Sequence, residues 1–278
     1  MRMFALHRWC LDRPVFYAAL ACVALLGLTA CASGGGGYEA SSRGVELVTD
    51  SDEPEARKRA KIRMQLAVGY FEQGQTTIAL DEIKQALLTD PSFAEAFNLR
   101  GLIYMRLNDM RLADESFRRA MTLNPNDANV LHNYGWMLCQ QTRYTESVQA
   151  FSRAIANPTY GGRAKTWMTQ GLCQVRAGQL VEAEHSLAKS YELDAGNPIT
   201  GYNLTLLLLQ RGDLSRAQFY IRRLNNSELA NVESLWLGIK VEQRLGNTEA
   251  LEQLAGQLRK RYPQSRELGA FERGAFNE

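Results

Sequence analysis

Side chains that could carry out catalysis are sparse in this 278-residue sequence. His132 and His185 stand alone, without the neighbouring cysteines, histidines or carboxylates that a metal site needs. Acidic pairs such as Asp114 and Glu115 fall on the polar face of a predicted helix, where solvation is their ordinary role. Glycines 34–37 follow no predicted strand, so they do not form a phosphate-binding loop. We therefore expect no catalytic residue, no metal and no cofactor, and a protein that binds partners.

The thiol of Cys31 is the side chain whose surroundings point to one specific reaction, the attachment of a lipid. A basic start that ends at Arg13 precedes an apolar run over residues 15–28. A run of about 14 residues is short for a bilayer, which takes about 20, but suits an export signal. The sequence Leu28-Thr29-Ala30-Cys31 resembles the lipobox of bacterial lipoproteins. The alternative is a plain signal peptide or anchor helix with an incidental cysteine.

The lipobox resemblance implies a signal peptide over residues 1–30 and a lipid on Cys31 as the mature N-terminus. Residues 31–54 then form a flexible tether that contains the glycine run. Residue Ala32 is not an aspartate, which by resemblance to Gram-negative sorting rules favours the outer membrane. The predicted location is the periplasmic face of the outer membrane, with membrane lipid as one partner through the acylated Cys31.

The charge of the chain gives no reason to expect nucleic acid as a partner. The sequence holds 32 basic and 30 acidic residues, and the first 30 positions contain three of the former and one of the latter. The remainder is close to neutral, whereas surfaces that bind nucleic acid are strongly basic.

From residue 55 onward the sequence repeats with a period of about 34 residues. A small residue recurs at this spacing, and a bulky apolar residue follows four positions later. A small side chain is needed where two helices cross closely, and a turn residue about five positions earlier suits the end of a helix. This pattern resembles the tetratricopeptide repeat, a pair of antiparallel helices. The recurring small residues are Ala79, Ala113, Ser147, Ala183, Ala217 and Ala250.

The repeat resemblance implies an all-α fold, a right-handed solenoid of about six helix–turn–helix repeats within residues 55–263. Two extra residues near Gly161 and Gly162 shift the phase between the third and fourth repeats. Residues 264–278 form a predicted cap or tail, in which a short helix around 266–273 would cover the open end. The predicted repeats span residues 60–93, 94–127, 128–161, 164–197, 198–230 and 231–263.

In this family the first helix of each repeat lines the concave face, and the resemblance therefore assigns a protein-binding groove. Its apolar side chains would hold those of a bound peptide, and its asparagines can pair with peptide N–H and C=O groups. The alternative for Leu102, Leu172 and Leu206 is packing between adjacent repeats. Val175 shares the same face. The predicted groove residues are Met64, Val68, Phe71, Asn98, Leu102, Met105, His132, Asn133, Trp136, Met168, Leu172, Tyr202 and Asn203.

Cys139 and Cys173 fall late in the first helices of the third and fourth repeats. Because consecutive first helices pack side by side, the two thiols could meet and form a disulfide in an oxidising compartment. Such a bond would pin the two repeats that flank the extra residues. The alternative is a pair of buried free thiols.

The whole chain resembles a narrower family, the type IV pilus biogenesis and stability lipoproteins, or pilotins. The segments that carry this resemblance are Asn133-Tyr134-Gly135-Trp136-Met137-Leu138-Cys139, Ala156-Asn157-Pro158-Thr159-Tyr160 and Gly171-Leu172-Cys173. The resemblance implies an outer-membrane lipoprotein that helps the pilus secretin localise and multimerise, with other pilus proteins as further partners and twitching motility as its phenotype. The alternative is a general envelope adaptor that recruits cell-wall enzymes or assembly machinery through the same groove.

Overall fold

The computed structural model describes residues 52–277, which form thirteen helices and no strand. The predicted signal peptide, Cys31 and the tether up to residue 51 lie outside the described residues. Within residues 52–277, none of the helices has both the length and the apolar character that crossing a membrane requires. The helices are α1 (Glu55–Glu72), α2 (Thr76–Thr89), α3 (Ala94–Arg106), α4 (Met110–Leu123), α5 (Ala128–Gln140), α6 (Tyr144–Ile155), α7 (Arg163–Arg176), α8 (Leu180–Leu193), α9 (Pro198–Arg211), α10 (Leu214–Asn225), α11 (Val232–Leu245), α12 (Thr248–Arg261) and α13 (Arg266–Glu272).

The helices pack in sequential antiparallel pairs, α1 with α2 through α11 with α12, which confirms the predicted all-α repeat fold. The small residue early in the second helix of each pair is fully buried from Ala79 to Ala217, whereas Ala250 of the last pair is half-buried. Close approach is also visible at Gly135, where an added Cβ atom would lie 2.8 Å from the Phe151 ring. The first helix therefore rests directly on the bulky residue of its partner, as the spacing of small and bulky residues predicts.

The turn within each pair is set by one residue in the left-handed backbone region. Gly74, Gly178, Gly212 and Gly246 have φ between +69° and +78° at these turns. Where the remaining pairs turn, Asn108 and Thr142 take the same conformation with φ near +60°. Glycine adopts this region at no steric cost, which explains why it recurs at this point of the repeat.

Neighbouring pairs stack so that the odd-numbered helices form one continuous wall. Each of α1, α3, α5, α7 and α9 approaches the next odd-numbered helix closely. Within residues 52–277 no even-numbered helix approaches another even-numbered helix in this way. The odd-numbered helices therefore line the inner, more tightly packed side of the stack, and the even-numbered helices spread apart on the outer side.

The helix α13 closes the C-terminal end of the stack. It packs against both α11 and α12, and Leu268 and Ala270 join the last buried cluster. The Phe276 ring that follows stacks on Trp236 with 5.9 Å between ring centroids. This segment buries apolar surface that the last repeat would otherwise present to solvent.

Candidate protein-binding groove

All thirteen predicted groove residues lie on odd-numbered helices, on α1, α3, α5, α7 and α9. Twelve of them are half-buried, which is the exposure expected of side chains that pack on a core while presenting one face to a partner. Of the two further residues on this face, Val175 is half-buried and Leu206 is 40% exposed. The inner wall is therefore partly open to a partner along the first five pairs.

His132 is the exception, because its side chain is only 7% exposed. Its Nδ1 atom lies 2.8 Å from the Thr166 hydroxyl of the next pair, and its ring packs on Phe151 at 5.8 Å between centroids. Burial, assisted by the positive charge of Lys165, lowers the pKa of His132 to about 4. The ring joins two repeats and offers little surface to a ligand, so we leave His132 out of the groove.

The N-terminal part of the groove is the most apolar. Met64, Val68 and Phe71 of α1 pack, with Leu102 and Met105 of α3, against the largest buried cluster within residues 52–277. Leu102 is half-buried and packs against this cluster. A peptide that docks here would cover partly exposed apolar surface, which is the favourable term in most protein association.

Two arginines that the sequence analysis did not assign each cover one aromatic residue of this wall. The Arg106 guanidinium lies 3.9 Å from the Phe71 ring centroid and donates a hydrogen bond to the Phe71 carbonyl at 2.5 Å. Arg176 lies 4.9 Å from the Trp136 ring centroid. Both arginines end an odd-numbered helix, where a positive charge also favours the helix dipole. The feature of the sequence that could have identified these two arginines is a basic residue at the end of the first helix of a repeat.

The asparagines of the wall are partly engaged with each other. The Asn133 amide nitrogen donates to the Asn98 side-chain oxygen at 3.1 Å, which joins α5 to α3. Asn203 donates to the Ile199 carbonyl of its own helix at 2.8 Å. Each amide keeps its other polar atom for a partner, so the wall can offer both donors and acceptors to a bound backbone.

The C-terminal part of the groove contains an apolar pocket of about 330 Å³ between α9 and the start of α11. Tyr202 and Asn203 line it, together with two residues that the sequence analysis missed, Ile199 and Leu229. These two side chains are 48% and 52% exposed. Burial, and the nearby charges of acidic residues on α11 and α13, raise the pKa of Tyr202.

The middle of the wall is crosslinked. Cys139 of α5 and Cys173 of α7 are joined by a disulfide, with 5.9 Å between their Cα atoms. Both cysteines are buried, and the half-buried rings of Trp136, Tyr144 and Trp167 pack around them. The crosslink holds two neighbouring inner helices together directly behind Trp136.

Nothing in residues 52–277 resembles a metal centre, because no three histidine, cysteine, aspartate or glutamate side chains converge there. The stack of helix pairs with a partly apolar inner wall defines a tetratricopeptide-repeat scaffold, and the family profile "Tetratricopeptide repeat" matches residues 94–127. These are the bounds that the sequence predicts for the second repeat.

Similarity to known proteins extends over most of the chain. The type IV pilus assembly protein PilF of Pseudomonas aeruginosa is 29% identical over 255 residues, which are 92% of this chain and 97% of PilF. The crystal structure of PilW, a widely conserved type IV pilus biogenesis factor, superposes with a TM-score of 0.67 at 32% identity over 76% of this chain and 97% of that one. A structure of P. aeruginosa PilF gives 0.70 at 27% identity, over 80% and 100%. The chain belongs to the family of tetratricopeptide-repeat proteins that contains PilF and PilW.

Proposed function

We propose that this protein is a lipid-anchored scaffold of the outer membrane that promotes localisation and multimerisation of the pilus secretin during type IV pilus assembly. The observation that supports the proposal is the similarity to PilF, over 92% of the chain, and to PilW, over 76% of the chain. The scaffold acts through protein–protein contacts, since its most distinctive surface is the inner wall and its family is one of repeat scaffolds.

The apolar N-terminal part of the wall is the proposed contact with the secretin. Met64, Val68 and Phe71 offer a surface for apolar side chains, and the Asn98–Asn133 pair offers hydrogen bonds to the partner backbone. Covering one half-exposed apolar side chain contributes on the order of 1 kcal/mol, about fivefold in affinity, so several of them together give useful binding.

The disulfide supports a location outside the cytoplasm. Disulfides persist in the periplasm and are rare where thiols are kept reduced. A lipid on Cys31, followed by the tether of residues 31–54, would hold the groove at the periplasmic face of the outer membrane.

The test compares groove variants in a strain that lacks the chromosomal copy. Met64→Gln with Val68→Gln makes the inner wall polar, and Leu88→Gln is the matched control because Leu88 of α2 is 75% exposed and lies on an outer helix. The expected result is a loss of heat-resistant secretin multimers on gels and of twitching motility in the groove variant alone. Circular dichroism of both purified proteins checks that the fold is retained. Unchanged multimers with intact pili would refute the secretin role and favour the general envelope adaptor.

The anchor is tested separately with Cys31→Ser. The variant should remain unprocessed or leave the membrane fraction, while its helical content stays unchanged. A Cys31→Ser protein that fractionates with the outer membrane as the wild type does would contradict the lipid attachment.

A further inference from the structure

Charge is divided unequally between the inner and outer helices of the solenoid. The inner helices α5, α7 and α9 contain no acidic residue, and α3 contains Glu95 alone. The basic residues of these four inner helices are Arg100, Arg106, Arg163, Lys165, Arg176 and Arg211. The outer helices α4, α6 and α8 that pack behind them carry the carboxylates of Asp114, Glu115, Glu146, Glu182, Glu184 and Glu192. The inner helices are therefore the basic side of a chain that is close to neutral as a whole.

Two of the inner cations, Arg106 and Arg176, lie over groove residues without a carboxylate partner. Both are exposed, and neither makes an ion pair within residues 52–277. On the outer side, by contrast, the exposed Arg216 pairs with Glu184 at 2.8 Å. The two inner guanidinium groups therefore retain their charge and most of their N–H donors for a partner.

The aromatic residues of the groove fix the position of both guanidinium groups. Arg106 lies over the Phe71 ring and donates to the Phe71 carbonyl, and Arg176 lies over the Trp136 ring. A planar guanidinium that is already stacked on a ring loses less freedom when it pairs with a carboxylate. Each arginine also ends its helix, where the backbone carries a partial negative charge of about half a unit that the arginine outweighs. These helix ends therefore attract an anion only while the arginine is present.

The two guanidinium groups are two helices apart along the inner wall. Each reaches from its own helix to a ring on the preceding inner helix, one from α3 to α1 and the other from α7 to α5. Packed helices are about 8–10 Å apart, so the two groups are about 16–20 Å apart. An extended chain rises about 3.3 Å per residue and alternates its faces, so two side chains on one face about six residues apart match this distance. Between the two groups lie the half-buried Leu102 and the hydrogen bond from Asn133 to Asn98.

We propose that the groove binds an extended segment of a partner protein that carries two acidic side chains about six residues apart, with apolar side chains between them. One carboxylate pairs with Arg106 and the other with Arg176, while the apolar side chains cover Leu102 and Met105. This inference rests on the groove being the partner site, as proposed above, and adds the chemistry of the segment that the groove selects. It does not require that the partner be the secretin.

The test uses the purified full-length protein and three short rhodamine-labelled peptides, whose binding is followed by fluorescence anisotropy. The spaced diacid is Asp-Ser-Leu-Ser-Val-Ser-Asp, the diamide is Asn-Ser-Leu-Ser-Val-Ser-Asn, and the adjacent diacid is Asp-Asp-Leu-Ser-Val-Ser-Ser, each with blocked ends. The spaced diacid should bind about four- to twentyfold more tightly than the diamide, the ratio for two exposed ion pairs, and added salt should reduce this difference. The adjacent diacid should bind with intermediate affinity, because it reaches one guanidinium at a time. Equal affinity of the spaced diacid and either other peptide, or no binding of the spaced diacid, would overturn the proposal.

Arginine variants give a second measurement. Arg106→Gln and Arg176→Gln should each weaken binding of the spaced diacid about two- to fivefold and leave binding of the diamide unchanged, whereas Arg176→Lys should retain most of the affinity. Arg119→Gln is the matched control, because Arg119 is exposed on the outer helix α4 and also lies over an aromatic ring, that of Phe97, at 5.9 Å. Circular dichroism checks that each variant keeps its helical content. An equal loss in the control, or unchanged binding by both groove variants, would contradict the assignment.

The failure of this inference is distinguishable from the failure of the proposed function. If Met64→Gln with Val68→Gln abolishes secretin multimers while the spaced diacid and the diamide bind equally, the acidic segment is refuted and the secretin role stands. If the spaced diacid binds as expected while secretin multimers are unaffected by the groove variant, the acidic segment belongs to another partner.

Discussion

Reduction of the Cys139–Cys173 disulfide should loosen the middle of the solenoid and leave its ends unchanged. The bond closes a loop of sequence separation 34, which contains all of α6 and parts of α5 and α7. Loop-closure entropy for this length amounts to about 4 kcal/mol at 25 °C. In a stack where each repeat contacts only its neighbours, this stabilisation acts on openings that include α6.

Hydrogen exchange followed by mass spectrometry measures the free energy of such local openings. Backbone amides of α6 should exchange several hundredfold faster in the reduced wild type than in the oxidised one, since about 1.4 kcal/mol corresponds to a factor of ten. Amides of α2, at the other end of the stack, should exchange at the same rate in both states. The Cys139→Ala/Cys173→Ala variant is the control for the reductant, which should have no effect on it.

Two outcomes would refute this reasoning. Equal exchange of α6 in the oxidised and reduced wild type would show that the crosslink does not restrain the openings that matter. An equal acceleration in α2 would show that the chain opens as one unit, so that nearest-neighbour coupling does not describe this solenoid.

Two further predictions concern packing and pH. Gly135→Ala should lower the free energy of unfolding by about 1–3 kcal/mol in urea titrations, because the added Cβ atom meets the Phe151 ring; Gly69→Ala, with no atom within 4 Å, should leave it unchanged or raise it by up to about 1 kcal/mol. The free energy of unfolding should also fall between pH 6.5 and about 4, by about 3 kcal/mol at most, because the unfolded chain protonates His132 before the folded chain does. Urea midpoints across this range should show a smaller decline for His132→Gln, and an identical decline would contradict the assignment.

The sequence predicts the helix pairs because their main determinants are local. A small residue at each helix crossing and a left-handed turn residue about five positions earlier recur with the period, and both are visible without a structure. Gly74 and Gly212 take the backbone conformation that their positions require. Thr142 does so as well, although a β-branched residue is a poor choice for this region. Position within the repeat therefore outweighs the intrinsic preference of the residue.

The details of the groove depend on contacts between repeats, which the period does not encode. His132 occupies a groove position in the repeat, but its ring turns toward Thr166 of the next pair and becomes buried. Arg106 lies one repeat beyond the Phe71 ring that it covers. The orientation of a side chain relative to the neighbouring repeat decides both cases, and a single repeat sequence does not contain that information.

The disulfide lies beside the longest connection between helix pairs in residues 52–277. The connection from α6 to α7 spans residues 156–162, whereas those that lead into α3, α5 and α9 have four residues each. The connection that leads into α11 has six residues. One repeat before Cys139 the corresponding residue is Met105, which packs against the core without a covalent bond. The crosslink between α5 and α7 joins two inner helices next to the seven-residue connection, and with them it fixes the shape of the groove around Trp136.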